Sequence, residues 1–454
     1  MSIDKNKRIC IIGGGPAGQT VAMNLEKKGY ENYVIYEKLD RVGGKAFSPK
    51  MKMGPNMEEE RTIEMGAVMG CDTYFAVAEA EKFGGTSHIG GPAMGRKFMT
   101  TEGKEIKRSL AEKLNMLLKL NKMSKLLKKK YFGYDVNGHR GVAKGEYDGS
   151  WPTTPELKII KGKNPNLKDL SMPFSEFLKM NKCEAAGPVW KGPFTSFGYG
   201  YFDEIPAAYV VKYLDAFTVR QFLSTGKLWT WKDGTQSIWE GVNKHLKHPA
   251  ILNSEVTKIE RKEDKVYVTI NGKDTEEFDE MIICTPLELF LKYGDPTEQE
   301  TELFSKIVHK EYFTMAVRPE KDPDTSYYFF ANMTPETRGH LMVFYHRWPG
   351  MVNQPVVTFT LRNHEGCEDV PFEEAKNTTI ADMEKAGLKV KSTERIDDWY
   401  YFPHVSSKDY ADGWYDKVEA MQGNKHTYYA GEVMAFGDME ETAEYARELV
   451  IRYF

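Results

Sequence analysis

The chain has 454 residues, a formal net charge of −4 at pH 7, 41% hydrophobic residues and 28% charged residues. This composition is typical of a globular protein and gives no overall reason to expect nucleic acid as a partner. The five cysteines include no CxxC pair, which argues against a disulfide framework and a zinc site. Since the sequence has no signal region and no run of ~18 apolar residues, we expect a cytoplasmic protein of two or three domains without a membrane span.

The first predicted element is a buried strand from Ile9 to Ile12, which leads into a glycine-rich turn and a helix from Ala17 to Lys28. In this context the pattern GxGxxG allows a tight turn, the approach of a pyrophosphate and close packing of the helix on the strand. A second strand, 33–36, ends at Glu37, where an acid usually binds ribose hydroxyls. The alternative is a chance glycine turn. The residues predicted to bind a dinucleotide here are Gly13, Gly15, Pro16, Ala17, Gly18, Glu37 and Lys38.

Three later segments extend this pattern: Arg41-Val-Gly-Gly-Lys45, Glu64-Met-Gly-Ala-Val68 and Tyr428-Tyr-Ala-Gly-Glu432, the last followed by a helix with an acidic start. Together with the first turn they resemble the FAD-binding signature of the flavin amine oxidase superfamily. The resemblance implies FAD as the cofactor, with a backbone contact to the adenine near Val256 and the last helix directed at the flavin ring. The further FAD-binding residues that it implies are Gly43, Gly44, Lys45, Gly66, Ala67, Val68, Val256, Gly431, Glu432, Met439 and Glu440.

The remaining predicted strands divide the chain into three kinds of domain. Strands are expected at 256–261, 265–270 and 280–286, with Asn271-Gly272 as a hairpin turn, and then at 312–317, 340–346 and 354–361. The expected fold class is α/β, with a discontinuous Rossmann-like (GR2-type) FAD-binding domain, a mixed-sheet substrate domain and a helical cap. The expected segments are 1–83, 202–286 and 399–454 for the FAD-binding domain, 84–201 for the cap and 287–398 for the substrate domain.

A long basic helix is predicted from about Glu105 to Lys130. One interpretation is an amphipathic helix that packs on the protein's own core and has a solvated basic face. The other is a helix that rests on an anionic membrane, from which a lipid substrate enters. Both remain open, so peripheral membrane contact through 105–130 is a hypothesis. The apolar residues at near-helical spacing are Ile106, Leu110, Leu114, Leu117, Leu120 and Leu127.

The sequence offers few conventional catalytic groups. No second GxGxxG follows a strand, so no NAD(P)H site is expected and the electrons for a flavin must come from the substrate. The histidines are scattered, and neither HExxH nor GxSxG occurs, so we predict no metal site and no serine hydrolase. A dense aromatic run from Phe194 to Trp231 is either core or the lining of a long apolar pocket. The pattern favours a cofactor that supplies the chemistry and a protein that positions the substrate.

Longer blocks narrow the resemblance to the FAD-dependent polyunsaturated fatty acid double-bond isomerases of the Propionibacterium type. The blocks are 197–200, 206–215, 228–236, 345–348, 361–364, 401–407 and 413–419. The resemblance implies a free polyunsaturated fatty acid such as linoleic acid as substrate and a conjugated fatty acid as product. Hydride abstraction to flavin N5, followed by return of the hydride at another carbon, moves a double bond without net redox change.

The same resemblance assigns three substrate-binding residues and no catalytic side chain. It implies that Arg96 holds the carboxylate at the mouth of a tunnel beside Phe222, and that Phe197 lies near the channel. An O2-dependent flavin oxidase of the amine oxidase class shares every FAD motif and is the first alternative. A flavoprotein that only binds lipid or membrane is the second. Growth of diene absorbance without oxygen uptake distinguishes the isomerase from both.

Overall fold

The computed structural model describes residues 3–91, 95–131, 165–223 and 228–454. Strands in the first part of the chain are β1 (Ile9–Ile12), β2 (Tyr33–Tyr36), β3 (Lys50–Met53), β4 (Glu59–Thr62), β5 (Gly70–Cys71), β6 (Ile89–Gly90), β7 (Arg96–Phe98) and β8 (Leu228–Thr230). The later strands are β9 (Val256–Lys262), β10 (Lys265–Ile270), β11 (Asp274–Phe278), β12 (Glu280–Ile283), β13 (Val308–Pro319), β14 (Ser326–Tyr328), β15 (Leu341–Tyr345), β16 (Val356–Leu361), β17 (Val390–His404) and β18 (Thr427–Tyr429).

The helices before residue 250 are α1 (Pro16–Lys27), α2 (Phe75–Gly84), α3 (Leu110–Leu126), α4 (Leu167–Leu170), α5 (Phe174–Met180), α6 (Gly187–Phe194), α7 (Ala207–Tyr213), α8 (Thr218–Gln221) and α9 (Gln236–His245). Those after it are α10 (Leu287–Tyr293), α11 (Glu298–Phe304), α12 (Phe372–Lys385), α13 (Ser407–Ala411), α14 (Trp414–Glu419) and α15 (Met439–Tyr453). No helix in the described part of the chain is both long and apolar enough to span a membrane.

Three distant parts of the chain meet in a parallel sheet with the strand order β18-β12-β1-β2. β1 is paired on both sides, with Ile9 opposite Tyr33 on β2 and opposite Glu280 on β12. All four residues of β1 are buried, as expected for a central parallel strand. Helix α1 packs against α15, and α2 packs against α9 and α15. The two ends of the chain therefore build one layer together.

A second, six-stranded sheet has the order β17-β13-β16-β15-β14-β7. It is mixed, because β7 pairs with β14 in parallel whereas the other neighbours are antiparallel. The strand predicted at 312–317 is confirmed as part of β13, and those predicted at 340–346 and 354–361 are confirmed as the slightly shorter strands β15 and β16. β17 runs through the expected domain boundary at 398/399, and β7 brings residues 96–98 of the expected cap into this sheet. The domain division itself stays a prediction.

The antiparallel sheet β11-β10-β9 contains the predicted hairpin turn. Asn271 and Gly272 both have positive φ angles, 52° and 67°, as the tight turn between β10 and β11 requires. Glycine and asparagine adopt this backbone conformation at low cost, which explains why the sequence signal was reliable here.

The basic helix begins later and packs differently than the sequence suggested. Ile106 is extended and its N–H donates to the Phe98 carbonyl (2.6 Å), so α3 begins only after Ser109, whose hydroxyl caps Glu112 N. The helix continues as a π-helical turn, Leu127–Tyr131. Leu120 and Leu127 are buried as the core interpretation expects. That interpretation is wrong for the first half of the helix, where the exposed apolar residues are Leu110, Leu114, Leu117 and Leu118.

Candidate functional site

A cavity of about 710 Å³ opens at the carboxyl ends of β1 and β2. This volume is typical of sites for cofactors and other small molecules. In open α/β sheets such molecules bind outside the carboxyl ends of the strands, so the cavity lies where a dinucleotide is expected. The predicted cofactor-binding residues that line it are Gly13, Gly15, Pro16, Ala17, Glu37, Lys38, Gly44, Lys45, Val256 and Glu432.

Glycines bring the backbone segments of this cavity close together. A Cβ on Gly44, where φ is +53°, would lie 3.3 Å from the Cα of Gly15. A Cβ on Gly18 would lie 1.9 Å from the carbonyl oxygen of Gly13, so α1 can follow the turn this closely only with glycine at position 18. This turn therefore keeps free the space at the N-terminus of α1 in which a pyrophosphate can bind.

Glu37 fits the ribose end of a dinucleotide. Its Oε2 accepts from Gly14 N (2.7 Å) and its Oε1 from Leu39 N (2.8 Å). Each carboxylate oxygen retains a second lone pair for a sugar hydroxyl. Ser254 N donates to the Glu37 carbonyl (2.9 Å), which holds the backbone around Val256 against the same cavity. The residues present fit the adenosine half of FAD.

A smaller cavity of about 90 Å³ adjoins the first, and the two share Pro16, Lys45, Glu432 and Thr442. Lys45 Nζ forms an ion pair with Glu432 Oε1 at this junction. The pair joins two segments that are distant in sequence, each of which carries predicted cofactor-binding residues. The smaller cavity is also lined by Gly66, Ala67 and Val68 and by the start of α15, Asp438, Met439 and Thr442.

Aromatic side chains supply most of the other walls of the smaller cavity, namely Tyr74, Phe197, Tyr199, Tyr213, Tyr312 and Tyr401. Burial raises the pKa of Tyr199, Tyr213 and Tyr312 well above the ordinary value for tyrosine, so these hydroxyls stay protonated at neutral pH. These aromatic side chains give that part of the wall an uncharged surface. The arrangement suits a flavin ring facing an apolar substrate.

Four predicted cofactor-binding residues line neither cavity: Gly18, Gly43, Gly431 and Glu440. The glycines support the wall from behind, since a Cβ on Gly43 would lie 2.8 Å from the Ala46 carbonyl oxygen, and one on Gly431 the same distance from that of Thr285. They act through backbone packing.

Glu440 has a different role from the one that the resemblance implied. Its carboxylate accepts from the backbone N–H groups of Phe75 (2.7 Å), Ala76 (2.8 Å) and Val77 (2.9 Å) at the start of α2. These bonds satisfy donors that a helix N-terminus otherwise leaves unpaired. The Glu440 carboxylate therefore joins α15 to the start of α2, and Glu440 lines neither cavity.

The structure brings two of the predicted substrate-binding residues together. The Arg96 guanidinium donates to the backbone carbonyl of Phe222 (2.9 Å) and also lies beside the Tyr328 hydroxyl. Arg96 is half-buried, so part of its charge remains open to an anion. We call this contact the Arg96–Phe222 mouth.

Aromatic rings connect this mouth to the smaller cavity. The ring centroids of Phe222 and Tyr213 lie 6.1 Å apart, and Tyr213 stacks on Phe436 at 4.8 Å. Tyr213 itself lines the smaller cavity. Phe197, the third predicted residue, is part of the same wall and lies 5.5 Å from Phe359. A row of packed aromatic rings therefore links Arg96 and Phe222 to the wall of the smaller cavity.

Sequence reasoning missed a buried ion pair that supports the wall. Arg347 Nη1 donates to Glu64 Oε1 (2.6 Å), and Arg347 Nη2 to the Trp231 carbonyl (2.6 Å), with both charged side chains almost fully buried. Thr235 N also donates to Glu64 (3.1 Å). The pair fixes the chain just before Gly66, Ala67 and Val68. The available signal was that Glu64 and Arg347 both stand in motifs already singled out.

Asp438 is a second residue that the sequence left unassigned. It caps α15 by accepting from Glu441 N (2.7 Å), and Tyr74 Oη donates to its other oxygen (3.0 Å). The pattern Asp-x-x-Glu before an apolar helix was a usable signal for this cap. Among residues 3–91, 95–131, 165–223 and 228–454, no group of three His, Cys, Asp or Glu side chains could hold a metal ion.

Comparison with known proteins identifies relatives of this chain. Residues 16–345 match the family described as flavin containing amine oxidoreductase. A crystal structure of a CLA-producing fatty acid isomerase from P. acnes is 41% identical, with a TM-score of 0.89, and the match covers 100% of both chains. A putrescine oxidase structure, 14% identical, has a TM-score of 0.69 over 98% of both chains and shows the shared fold alone.

Curated relatives match shorter segments. The FAD-dependent oxidoreductase oblC of Cochliobolus heterostrophus is 26% identical over 63% of this chain and 63% of its own length. The polyenoic fatty acid isomerase of Ptilota filicina is 24% identical over 58% of this chain and 52% of its own length. The chain thus spans less than two thirds of these curated relatives. The chain belongs to the flavin containing amine oxidoreductase family, with the α/β fold and the FAD cofactor that the sequence predicted.

Proposed function

We propose that the protein is an FAD-dependent isomerase that converts a methylene-interrupted polyunsaturated fatty acid, such as linoleic acid, to a conjugated fatty acid without net redox change. The observation that carries the proposal is the 41% identity over the entire chain to the fatty acid isomerase from P. acnes. The aromatic side chains that form much of the smaller cavity's wall support it independently, because they suit an apolar substrate.

Bound FAD supplies the hydride acceptor and donor that double-bond migration requires. The protein's own residues orient the acyl chain and exclude water from the positive charge that hydride loss leaves on it. Tyr199, Tyr213 and Tyr312 suit this task, because burial raises the pKa of each and keeps it from acting as a base. No side chain needs to form a bond to the substrate.

We assign substrate binding to three residues. Arg96 holds the carboxylate at the mouth, since its guanidinium is fixed by the Phe222 carbonyl and the residue is only partly buried. Phe222 lies between this charge and Tyr213, and Phe197 forms part of the wall of the inner cavity. The positive charge suits the carboxylate of a fatty acid, and the aromatic surface beside it suits the acyl chain.

The proposal includes a free fatty acid as the partner and no NAD(P)H, because the substrate provides the hydride and receives it back. It also includes a cytoplasmic location with peripheral membrane contact through 105–130. The five cysteines are free thiols, which supports a reducing compartment. The exposed leucines of α3 support the membrane contact.

The decisive experiment follows diene absorbance and dissolved oxygen together while the yellow protein acts on linoleic acid. The isomerase predicts growth of the diene band at constant oxygen, without added NAD(P)H. Oxygen consumption without a diene would show a flavin oxidase, and silence in both channels across several polyenes would leave only cofactor binding. Protein stripped of FAD is the matched control and should produce no diene until FAD is restored.

A further inference from the structure

Helix α3 carries four leucines on the side that faces away from the protein. The exposed fractions are 83% for Leu110, 57% for Leu114, 45% for Leu117 and 60% for Leu118. At the pitch of an α-helix these positions fall within an arc of about 100°. We call them the leucine face. The helix attaches to the core through other residues on a separate side, namely Leu120, Met123 and Leu127.

Positive charge surrounds the leucine face. Residues 105–131 contain nine lysines and arginines but only two acids, Glu105 and Glu112. The Glu112 carboxylate is engaged in the capping box with Ser109. Six exposed lysines of this segment form no ion pair with the described residues, namely Lys107, Lys113, Lys122, Lys125, Lys128 and Lys129. Exposed apolar side chains bordered by lysines are typical of helices that lie on anionic lipid.

The helix lies beside the Arg96–Phe222 mouth. Arg220 Nη2 donates to Asn121 Oδ1 on α3 (2.8 Å), and Phe222 follows two residues after Arg220. Leu223 comes next and is 44% exposed, so it adds apolar surface at the mouth.

A second contact connects the start of α3 to the strand of Arg96. The Arg108 guanidinium lies 5.6 Å from the ring centroid of Phe98 on β7. Ile106 N also donates to the Phe98 carbonyl (2.6 Å). The segment before α3 therefore contacts β7, the strand that carries Arg96. A surface that binds α3 would lie next to the Arg96–Phe222 mouth.

We propose that the leucine face docks on an anionic lipid surface, so that the Arg96–Phe222 mouth receives its fatty acid directly from the lipid layer. The identity of the substrate rests on the proposed isomerase function. A fatty acid in such a layer has its carboxylate at the water boundary and its chain among the lipids. A second copy of the chain is a poorer occupant, because two basic faces repel each other whereas anionic headgroups attract them.

The docking is tested by flotation of the FAD-loaded protein with vesicles and without fatty acid. We expect binding to vesicles of phosphatidylcholine and phosphatidylglycerol, little binding to phosphatidylcholine alone, and weaker binding at high salt. The double variant Leu114→Ser/Leu118→Ser should weaken binding by about tenfold or more. The triple variant Lys113→Gln/Lys125→Gln/Lys129→Gln should weaken it on anionic vesicles only.

The matched control is Val308→Ser/Val352→Ser, which removes two exposed apolar side chains outside α3 and should leave binding unchanged. Equal binding by the leucine variant and the wild type would overturn the proposal, as would no vesicle binding at all. Sedimentation tests whether a second copy of the chain covers the leucine face instead. If the wild type is a dimer and the leucine variant is a monomer, the face binds a second copy and the lipid proposal is overturned.

Kinetics separates docking from chemistry. With linoleate supplied in anionic vesicles, the leucine variant should show a KM raised about tenfold or more, whereas with monomeric linoleate its kcat and KM should match those of the wild type. An equal loss on both forms of substrate contradicts delivery from the lipid surface. If the wild type isomerises neither form, the proposed function fails, while flotation still decides the docking on its own.

Discussion

The guanidinium of Arg96 and the backbone carbonyl of Phe222 are joined by a 2.9 Å hydrogen bond across 126 positions of sequence. This contact brings the edge strand β7 to the segment that follows α8. It holds the positive charge in place in a half-buried side chain, and the proposed binding of a carboxylate requires such a fixed charge before the substrate arrives.

Replacing Arg96 with Ala should raise the KM for linoleate by about tenfold to a hundredfold, because a hydrogen bond to a charged group contributes about 1.5–3 kcal/mol. The KM for the methyl ester should change little. Steady-state diene formation measures both. The neighbouring Lys97, which is half-buried and pairs with Asp324, provides the control variant Lys97→Ala. A change of less than twofold for free fatty acid would remove the carboxylate role.

Gly18→Ala should prevent normal FAD binding and destabilise the protein by about 1–3 kcal/mol. The added Cβ would lie 1.9 Å from the carbonyl oxygen of Gly13, and a backbone oxygen cannot rotate away as a flexible side chain could. Flavin absorbance per protein and the melting temperature report the effect. Gly90→Ala is the control, since a Cβ there meets nothing within 4 Å. Full flavin content in Gly18→Ala would contradict this account of the turn.

Glu64→Gln should lower the free energy of unfolding by about 3–5 kcal/mol, because it leaves the buried Arg347 charge without its partner. A double-mutant cycle compares the wild type, the single variants Glu64→Gln and Arg347→Met, and the double variant, each by denaturant titration. We expect Glu64→Gln/Arg347→Met to be more stable than Glu64→Gln alone. Additive effects of the two substitutions would show that the pair does not act as a unit.

His404 should make the protein less stable in mild acid. Burial lowers its pKa from 6.5 to about 3, and its Nδ1 is held against the Phe402 carbonyl (2.8 Å). Below about pH 6.5, His404 therefore binds a proton in the unfolded chain but not in the folded chain. The contribution of neutral His404 to stability is complete above that pH and decreases toward pH 3. The loss is about 1.4 kcal/mol per pH unit.

The measurement is the free energy of unfolding against pH for the wild type and His404→Gln. The difference between them should shrink by that amount per unit as the pH falls from 6.5, because the variant lacks the titrating group. His245→Gln, at an exposed histidine, should follow the wild type in parallel. A constant difference across this range would exclude His404 as the group.

The residues of the cofactor site could be predicted from sequence because local rules determine them. A buried strand, three glycines and an acid at fixed spacing describe one βαβ unit, and Gly13, Gly15 and Glu37 all line the larger cavity. The hairpin at Asn271 was equally local, since positive φ angles restrict which residues can stand there. Such signals need no knowledge of the distant chain.

The features that sequence reasoning missed depend on long-range contacts. Glu64 and Arg347 are paired across 283 positions, and the local sequence around either residue does not predict its partner. Glu440 stands in a cofactor motif but caps a helix that begins at Phe75. In α3 the leucine spacing gives a helix, but helical spacing alone cannot show whether a given leucine packs on the core or remains outside, as Leu114 does.

The six-stranded sheet connects Arg96 to Tyr401 through its backbone. β7, which carries Arg96, is one edge of this sheet, and β17, which carries Tyr401, is the other. Arg96, the proposed anchor of the carboxylate, and Tyr401, in the wall of the smaller cavity, thus belong to one hydrogen-bonded framework. Their separation is set by strand count, which side-chain substitutions do not alter. In the proposed binding mode, the backbone therefore sets the distance from the carboxylate of the fatty acid to the flavin side of the site.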